Sequence, residues 1–337
     1  MGLLITLLVY INFLDFPLPL RSSGCFYYFK KIIYSLGFLN IMPDKSSHFN
    51  ISQLFSLLRV SQWYKNLTVF LPIFFAQRLS DLPYLISVVL AFFSLSLASS
   101  SGYIINDIID RKKDAAHPLK KKRPLASGAV SVSTAILLSV LLLLSSLSLG
   151  LSLSLPFVFF VAVLFLLMLS YSLFFRNELF ADIILISINF VVRSVSGAYT
   201  LSTSLFEPYV TVSPWLLICT FFLALFLASV KRRAEAVLAV NTLHRAGLSS
   251  YDKHTSYYLL ALSSTMLILS YSFYTFFAGH EKLLLTVPLS IYAVLRFAYL
   301  TENRPELCIH AQHALKDRKL FIASLAWLLV TLLIFYA

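Results

Sequence analysis

Three aspartates and an asparagine are crowded into one short segment, Asn106-Asp107-Ile108-Ile109-Asp110-Arg111-Lys112-Lys113-Asp114. On a helix, positions 107, 110 and 114 fall near one face, because seven residues make almost two full turns. Carboxylates that close repel and raise one another's pKa unless a cation sits between them. An all-oxygen set of this kind suits Mg²⁺ carrying a substrate phosphate. Asn106, Asp107, Asp110 and Asp114 are therefore the candidate catalytic group, with the three aspartates as metal ligands. The alternative is that the aspartates pair with their neighbours Arg111, Lys112 and Lys113 at a solvated helix end. The next residues in the chain favour chemistry: in His117-Pro118-Leu119-Lys120-Lys121-Lys122-Arg123-Pro124 the prolines stop the helix, and a basic run folds back toward the acidic face. Carboxylate-held Mg²⁺ and Lys/Arg would grip one polyanion from two sides.

These residues need a scaffold, and composition says which kind. Of 337 residues 59% are hydrophobic and only 12% charged, and the mean hydropathy is +0.83, values that exclude a soluble globular enzyme. Stretches free of Asp, Glu, Lys and Arg cover 82–105, 124–175, 208–230, 255–280 and 320–337, and 183–206 is broken only by Arg193. The run 124–175 is too long for one helix, and Gly150 with Pro156 supplies a turn. A run from 283 to about Leu300 and an amphipathic entry at 55–77 bring the expected total to nine transmembrane helices in an all-α polytopic membrane protein. Residues 1–41 read as a non-core N-terminal extension or an extra membrane segment, and 42–337 as the membrane domain.

The net charge of +12 does not point to nucleic acid, because the basic residues fall in loops between apolar spans. With nine spans, Arg59, Lys65, the run 111–123, Arg176, and the segments 231–253 and 296–319 gather on one side, while Arg78 and Lys282 lie on the other. The positive-inside rule makes the rich side cytoplasmic, in a multi-pass protein of the cell inner membrane. Anionic lipid headgroups or phosphorylated substrates are the expected partners. Cys25, Cys219 and Cys308 share no ligand-like spacing and suggest neither disulfides nor zinc.

Single charges are also informative. Arg193 lies inside an apolar run that has Asp182 near its cytoplasmic end. An ionised group at membrane depth costs about 3 kcal/mol or more unless it faces a wet cavity or a partner, so function is the first reading and a structural pair the second. Lys65 either lines the cavity mouth or snorkels as a topogenic charge. His310 and His313 have i,i+3 spacing but no convincing carboxylate partner, and read as surface histidines rather than a metal site.

NDIIDRKKD followed by HPLKKKRPLASG resembles the first aspartate-rich signature, NDxxDxxxD, of the UbiA superfamily of intramembrane prenyltransferases. RVSQWYKNLTVFLP at 59–72, YSLFFRNELFADIILISINFVVRSVSGA at 171–198, FLASVKRRAEAVLA at 226–239 and RPELCIHAQHALKDRKL at 304–320 extend the resemblance over residues 52 to 337. It implies a nine-helix bundle with a cytoplasm-facing cavity and Mg²⁺ as cofactor. Within the superfamily it is to the branch that joins a polyprenyl phosphate, decaprenyl-like, to phosphoribosyl pyrophosphate and releases pyrophosphate in cell envelope biosynthesis. On that resemblance Lys65, Asn66, Lys120, Arg123, Tyr171, Arg176, Asp182, Arg193, Lys231, Arg232 and Glu235 are substrate-binding residues. Oligomeric state is left open, a homo-oligomer included.

Two departures from the family pattern matter. Members that use a prenyl diphosphate donor usually have a second aspartate-rich motif after the sixth span, where this chain offers Lys231-Arg232-Arg233-Ala234-Glu235. Basic residues there fit an additional phosphate better than a second Mg²⁺. Arg176 stands where the family usually has Lys. The rival activity is prenyl transfer from a prenyl diphosphate to an aromatic or other acceptor. A transporter or channel is disfavoured because nearly all charges gather at one face.

Overall fold

The computed structural model describes residues 51–118, 120–239, 251–277 and 281–336. The expected extension at 1–41 lies outside them. All regular elements among the described residues are helical. The chain enters through α1 (Ile51–Leu58), an eleven-residue 3₁₀ segment (Val60–Phe70) and α2 (Leu71–Phe75). The long helix α3 (Leu82–Ala115), then α4 (Val132–Leu151), α5 (Leu155–Ser170) and α6 (Ala181–Gly197) follow. After them come α7 (Pro214–Ala239), α8 (Lys253–Phe277), α9 (Val287–Asn303), the short α10 (Pro305–Cys308) and α11 (Arg318–Tyr336).

Local sequence accounts for several boundaries. Asp81 accepts from the Tyr84 amide at 3.2 Å, Ser131 from Thr134 at 3.1 Å and Ser154 from Phe157 at 3.0 Å, so α3, α4 and α5 each start on a side-chain cap. Pro83 and Pro156 stand in the first turns of α3 and α5, where a missing N–H costs nothing. The turn expected between Gly150 and Pro156 occurs there.

Seven helices among the described residues are long and apolar enough to cross a membrane: those at 82–115, 132–151, 155–175, 214–238, 253–277, 281–303 and 318–336. The chain is an all-helical polytopic membrane protein. The other two expected spans take a different form. Helix α6 has only 17 residues. The amphipathic entry at 55–77 is not one helix, because Arg59 adopts a left-handed conformation (φ 49°) and the chain then tightens into the 3₁₀ segment. The reason is tertiary. Arg59 turns to meet Asp107 on α3, and the segment is pressed against the end of α6, where a Cβ on Gly197 would sit 2.0 Å from the Val69 carbonyl oxygen. Only glycine permits that approach.

Two apolar cores flank α6. One packs α3 and α5 around Val69, Ile73, Leu95, Phe157 and Leu164. The other packs α7, α8, α9 and α11 around Phe226, Tyr271, Phe297 and Trp327. Helices α3 and α4 are joined by two reciprocal serine pairs. Ser94 and Ser146 each donate to the other's backbone carbonyl, at 2.9 and 2.7 Å, and Ser101 and Ser139 do the same at 2.8 and 3.2 Å. The pairs are seven residues apart on both helices, so small side chains bring the two backbones together along a single seam.

Candidate active site

Asp107, Asp110 and Asp114 lie on one face of α3, as their spacing requires, and are buried at 4%, 3% and 3% exposure. Their sequence neighbours Arg111, Lys112 and Lys113 point to solvent, which removes the reading that these pair with the aspartates. The counter-charges come from elsewhere in the fold. Arg59 and Arg123 both reach Asp107, the latter at 3.0 Å, and Arg123 also donates to Asp114 at 2.6 Å. Lys120 stands 3.9 Å from Asp114, and Arg176 pairs with Asp110. The basic run after Pro118 therefore folds back onto the acidic face. Asn106 makes a long contact to Asp110, 3.4 Å.

Behind this stripe lies a second region whose charge is not balanced. Arg193 is 4% exposed, donates from Nε to Asn66 Oδ1 at 2.8 Å, and has no ion pair among the described residues. Asn66 is fixed in turn by donating to Ser96 at 3.0 Å. Lys65 lies in the electrostatic field of Arg193 and Arg59. Lys231, next to Arg232 on α7, is exposed to solvent. A buried guanidinium with no acid partner among the described residues has the chemistry to receive an anion.

Asp182, Arg232 and Glu235 form a third group. Arg232 bridges Asp182 at 2.5 Å and Glu235 at 3.2 Å, and Tyr251 donates to Asp182 at 2.6 Å. Burial and the bond to Asp182 push the Tyr251 phenol up, so it stays a donor at any physiological pH. This triad ties the start of α6 to the end of α7. Tyr171 opens a π-helical turn (Tyr171–Phe175) at the end of α5 and shares the field of Arg232, Asp182, Arg176 and Lys65. The ion pairs of Asp107, Asp110 and Asp114 thus lie at the C-terminal end of α3, and those of Asp182 at the start of α6.

A profile of the UbiA prenyltransferase family matches residues 67–325. The chain belongs to the UbiA prenyltransferase family. It is an enzyme of that family and a multi-pass integral membrane protein. The decaprenyl-phosphate phosphoribosyltransferase of Mycolicibacterium smegmatis is 32% identical over 303 residues, 82% of this chain and 91% of that protein. The enzyme of the same name from Mycobacterium tuberculosis is 29% identical, over 80% of this chain and 90% of its own. A UbiA homologue from Archaeoglobus fulgidus, solved with GPP and Mg²⁺, superposes with a TM-score of 0.60 at 17% identity, covering 85% of this chain and all of the other.

In this UbiA-family enzyme the carboxylates fit the metal their types suggest by chemistry rather than by preformed geometry. Among the described residues no three His, Cys, Asp or Glu side chains converge as a ready ligand set. The donor chemistry does fit a hard cation: three buried carboxylates on one helical face, with oxygen donors throughout. Arginines hold these carboxylates, and a phosphate arriving with a cation would give those arginines a new acceptor. Sequence reasoning misses Arg59 and Tyr103. Arg59 reads in sequence as one more charge on the cytoplasmic side, yet it pairs with Asp107 and its guanidinium lies 5.0 Å from the Tyr103 ring centroid. The available signal is a cation heading an otherwise apolar entry segment.

Proposed function

We propose that the enzyme transfers 5-phosphoribosyl from phosphoribosyl pyrophosphate to a polyprenyl phosphate of decaprenyl type, releasing pyrophosphate. The observation that carries this reading is the excess of cation over carboxylate at the site. Lys65, Lys120, Arg123, Arg176, Arg193, Lys231, Arg232 and Arg59 face Asp107, Asp110, Asp114, Asp182 and Glu235, and Arg193 is buried without an acid partner among the described residues. Two substrates that bring several phosphates between them match that balance. The relatives named for this reaction, about 30% identical over about 80% of the chain, support it.

In this reading Asp107, Asp110 and Asp114 hold Mg²⁺, and Asn106 orients the group it binds. Bound there, the ion would supply Lewis-acid stabilisation of the negative charge on the departing pyrophosphate. Arg123, Lys120 and Arg176 leave their carboxylates for phosphate oxygens. Lys65, with Arg193 held in place by Asn66, receives the phosphate of the lipid, whose tail lies between helices. The nucleophile is already anionic, so attack on the ribose C1 requires no strong general base. The membrane-spanning bundle, with this end facing the cytoplasm of a plasma membrane, gives the soluble sugar and the lipid a common site.

The rival prenyl transfer from a prenyl diphosphate is disfavoured because the end of α7 offers Glu235, already bound to Arg232, in place of a second aspartate pair. Purified protein supplied with labelled phosphoribosyl pyrophosphate, polyprenyl phosphate and Mg²⁺ tests the proposal. Labelled lipid is the expected product. Turnover of a prenyl diphosphate with no label in lipid would establish the rival.

A further inference from the structure

A single phenol joins three helices at the third group of the site. Tyr251, just ahead of α8, is 7% exposed and packs with Ile183 of α6, Leu225 of α7 and Leu259 of α8. Its hydroxyl accepts the Phe180 N–H at 2.9 Å and donates to Asp182 Oδ1 at 2.6 Å. The other oxygen of Asp182 accepts from Arg232 at 2.5 Å, and the guanidinium carbon of Arg232 lies 5.6 Å from the Tyr251 ring centroid.

Phe180 shows what that hydroxyl is for. It precedes α6 with φ 66° and ψ −36°, a conformation bulky residues rarely adopt, and α6 has no side-chain cap of its own. The Phe180 side chain is 42% exposed, so its burial does not hold the turn. The bond from its N–H to Tyr251 does, with an edge-on contact between the two rings at 6.0 Å. The segment that ends at this turn begins with Arg176, which pairs with Asp110 on α3. One hydroxyl therefore sets the path between Arg176, at the aspartate stripe, and Asp182, the anchor of Arg232.

We propose that Tyr251 is a positioning residue for the transfer: through Phe180 and Asp182 it sets the Arg176 and Arg232 guanidinium groups for the phosphates of the phosphorylated sugar. The inference rests on the proposed phosphoribosyl transfer and adds to it a residue that touches no substrate. A guanidinium has five N–H donors, and the bonds of Arg232 to Asp182 and Glu235 leave some of them free. With Asp182 held from its other oxygen, Arg232 keeps those donors in one orientation for an arriving phosphate oxygen. Fixed guanidinium groups need little reordering on binding, so loss of the hydroxyl weakens the sugar and spares the lipid phosphate, which Lys65 and Arg193 receive.

The test measures KM for phosphoribosyl pyrophosphate and for polyprenyl phosphate in the full-length wild type, Tyr251→Phe, Phe180→Gly and the double variant, with thermal unfolding in detergent as the folding control. Tyr251→Phe keeps the ring and removes the hydroxyl. It should raise KM for the sugar about tenfold, the scale of one hydrogen bond to a charged group, and leave KM for the lipid unchanged. Glycine adopts a positive φ without strain, so the double variant should regain part of the loss and stand about threefold above Phe180→Gly, the remainder being the bond to Asp182. An unchanged sugar KM in Tyr251→Phe, an equal rise in both KM values, or a double variant no better than Tyr251→Phe would overturn the positioning role while wild-type transfer stands. Should Tyr251→Phe not fold, the double variant is compared with Phe180→Gly alone, and an equal sugar KM in the two overturns it. Failure of the wild type to label lipid would sink the underlying reading, and this one with it.

Discussion

Arg193→Met separates a substrate-binding arginine from a structural one, because the two roles predict opposite signs. In the wild type a guanidinium sits at 4% exposure with one good hydrogen bond, to Asn66 at 2.8 Å, and no carboxylate partner among the described residues. Holding such a charge out of water costs several kcal/mol. The bond to Asn66 returns about 1.5–3 kcal/mol of it. Methionine of similar length removes both terms, and Asn66 keeps its bonds to Ser96 and Ser99. The substrate-free variant should therefore be more stable by about 1–2 kcal/mol, or about 1–3 °C in Tm for a chain of this size. Turnover should fall. Truncating one partner of a buried hydrogen-bonded charge pair costs about 2–5 kcal/mol, which is about 30-fold to several thousand-fold. Thermal unfolding in detergent and label transfer to polyprenyl phosphate measure the two quantities on one preparation. A lower Tm with near-normal turnover would refute the reasoning and make Arg193 a packing residue.

Three other contacts carry expectations of their own. Gly197→Ala drives a methyl into the Val69 carbonyl, and backbone cannot yield as a side chain can, so α6 and the segment carrying Lys65 must separate. A loss of about 1–3 kcal/mol or more, seen as a lowered Tm together with lost turnover, is expected. Asp107→Asn should abolish turnover while the protein stays folded, since Arg123 retains Asp114 as a partner, and near-normal activity would remove Asp107 from the metal role. The third concerns acid. Arg296 binds Asp317 through two hydrogen bonds, at 3.0 and 2.7 Å, and holds its carboxyl below the usual range. That stabilisation is fully present above the unfolded pKa of about 4 and is lost as pH falls through the lower folded value. The Tm gap between wild type and Asp317→Asn should be constant from pH 5 to 8 and close below pH 4.

Sequence pattern is most informative where one helix does the work. The face shared by Asp107, Asp110 and Asp114, the two spans within 124–175 and the return of Arg123 to the acidic face come from helical period, proline placement and charge. What it cannot supply are partners that tertiary contact chooses. Nothing in RVSQWYKNLTVFLP says that Arg59 turns back to Asp107 or that the chain abandons α-helix for a 3₁₀ path. The cause is a glycine on α6, more than a hundred residues later, that lets two backbones touch. Arg232 shows the same limit. Its charge suggests a phosphate contact, and nothing in the sequence says that it also pairs with Asp182 and Glu235.

Helix α3 contains 34 residues, a length of about 51 Å, against a hydrocarbon slab of about 30 Å. Its first twenty residues or so are enough to cross the slab, and the serine seam to α4 holds it upright, so the aspartate-bearing end stands clear of the oil. In the proposed reaction a soluble phosphorylated sugar would dock from bulk water while its lipid acceptor stays in the bilayer. On that proposal, encounter on the lipid side would be set by diffusion within one leaflet, and the lipid product would be released directly into the same layer.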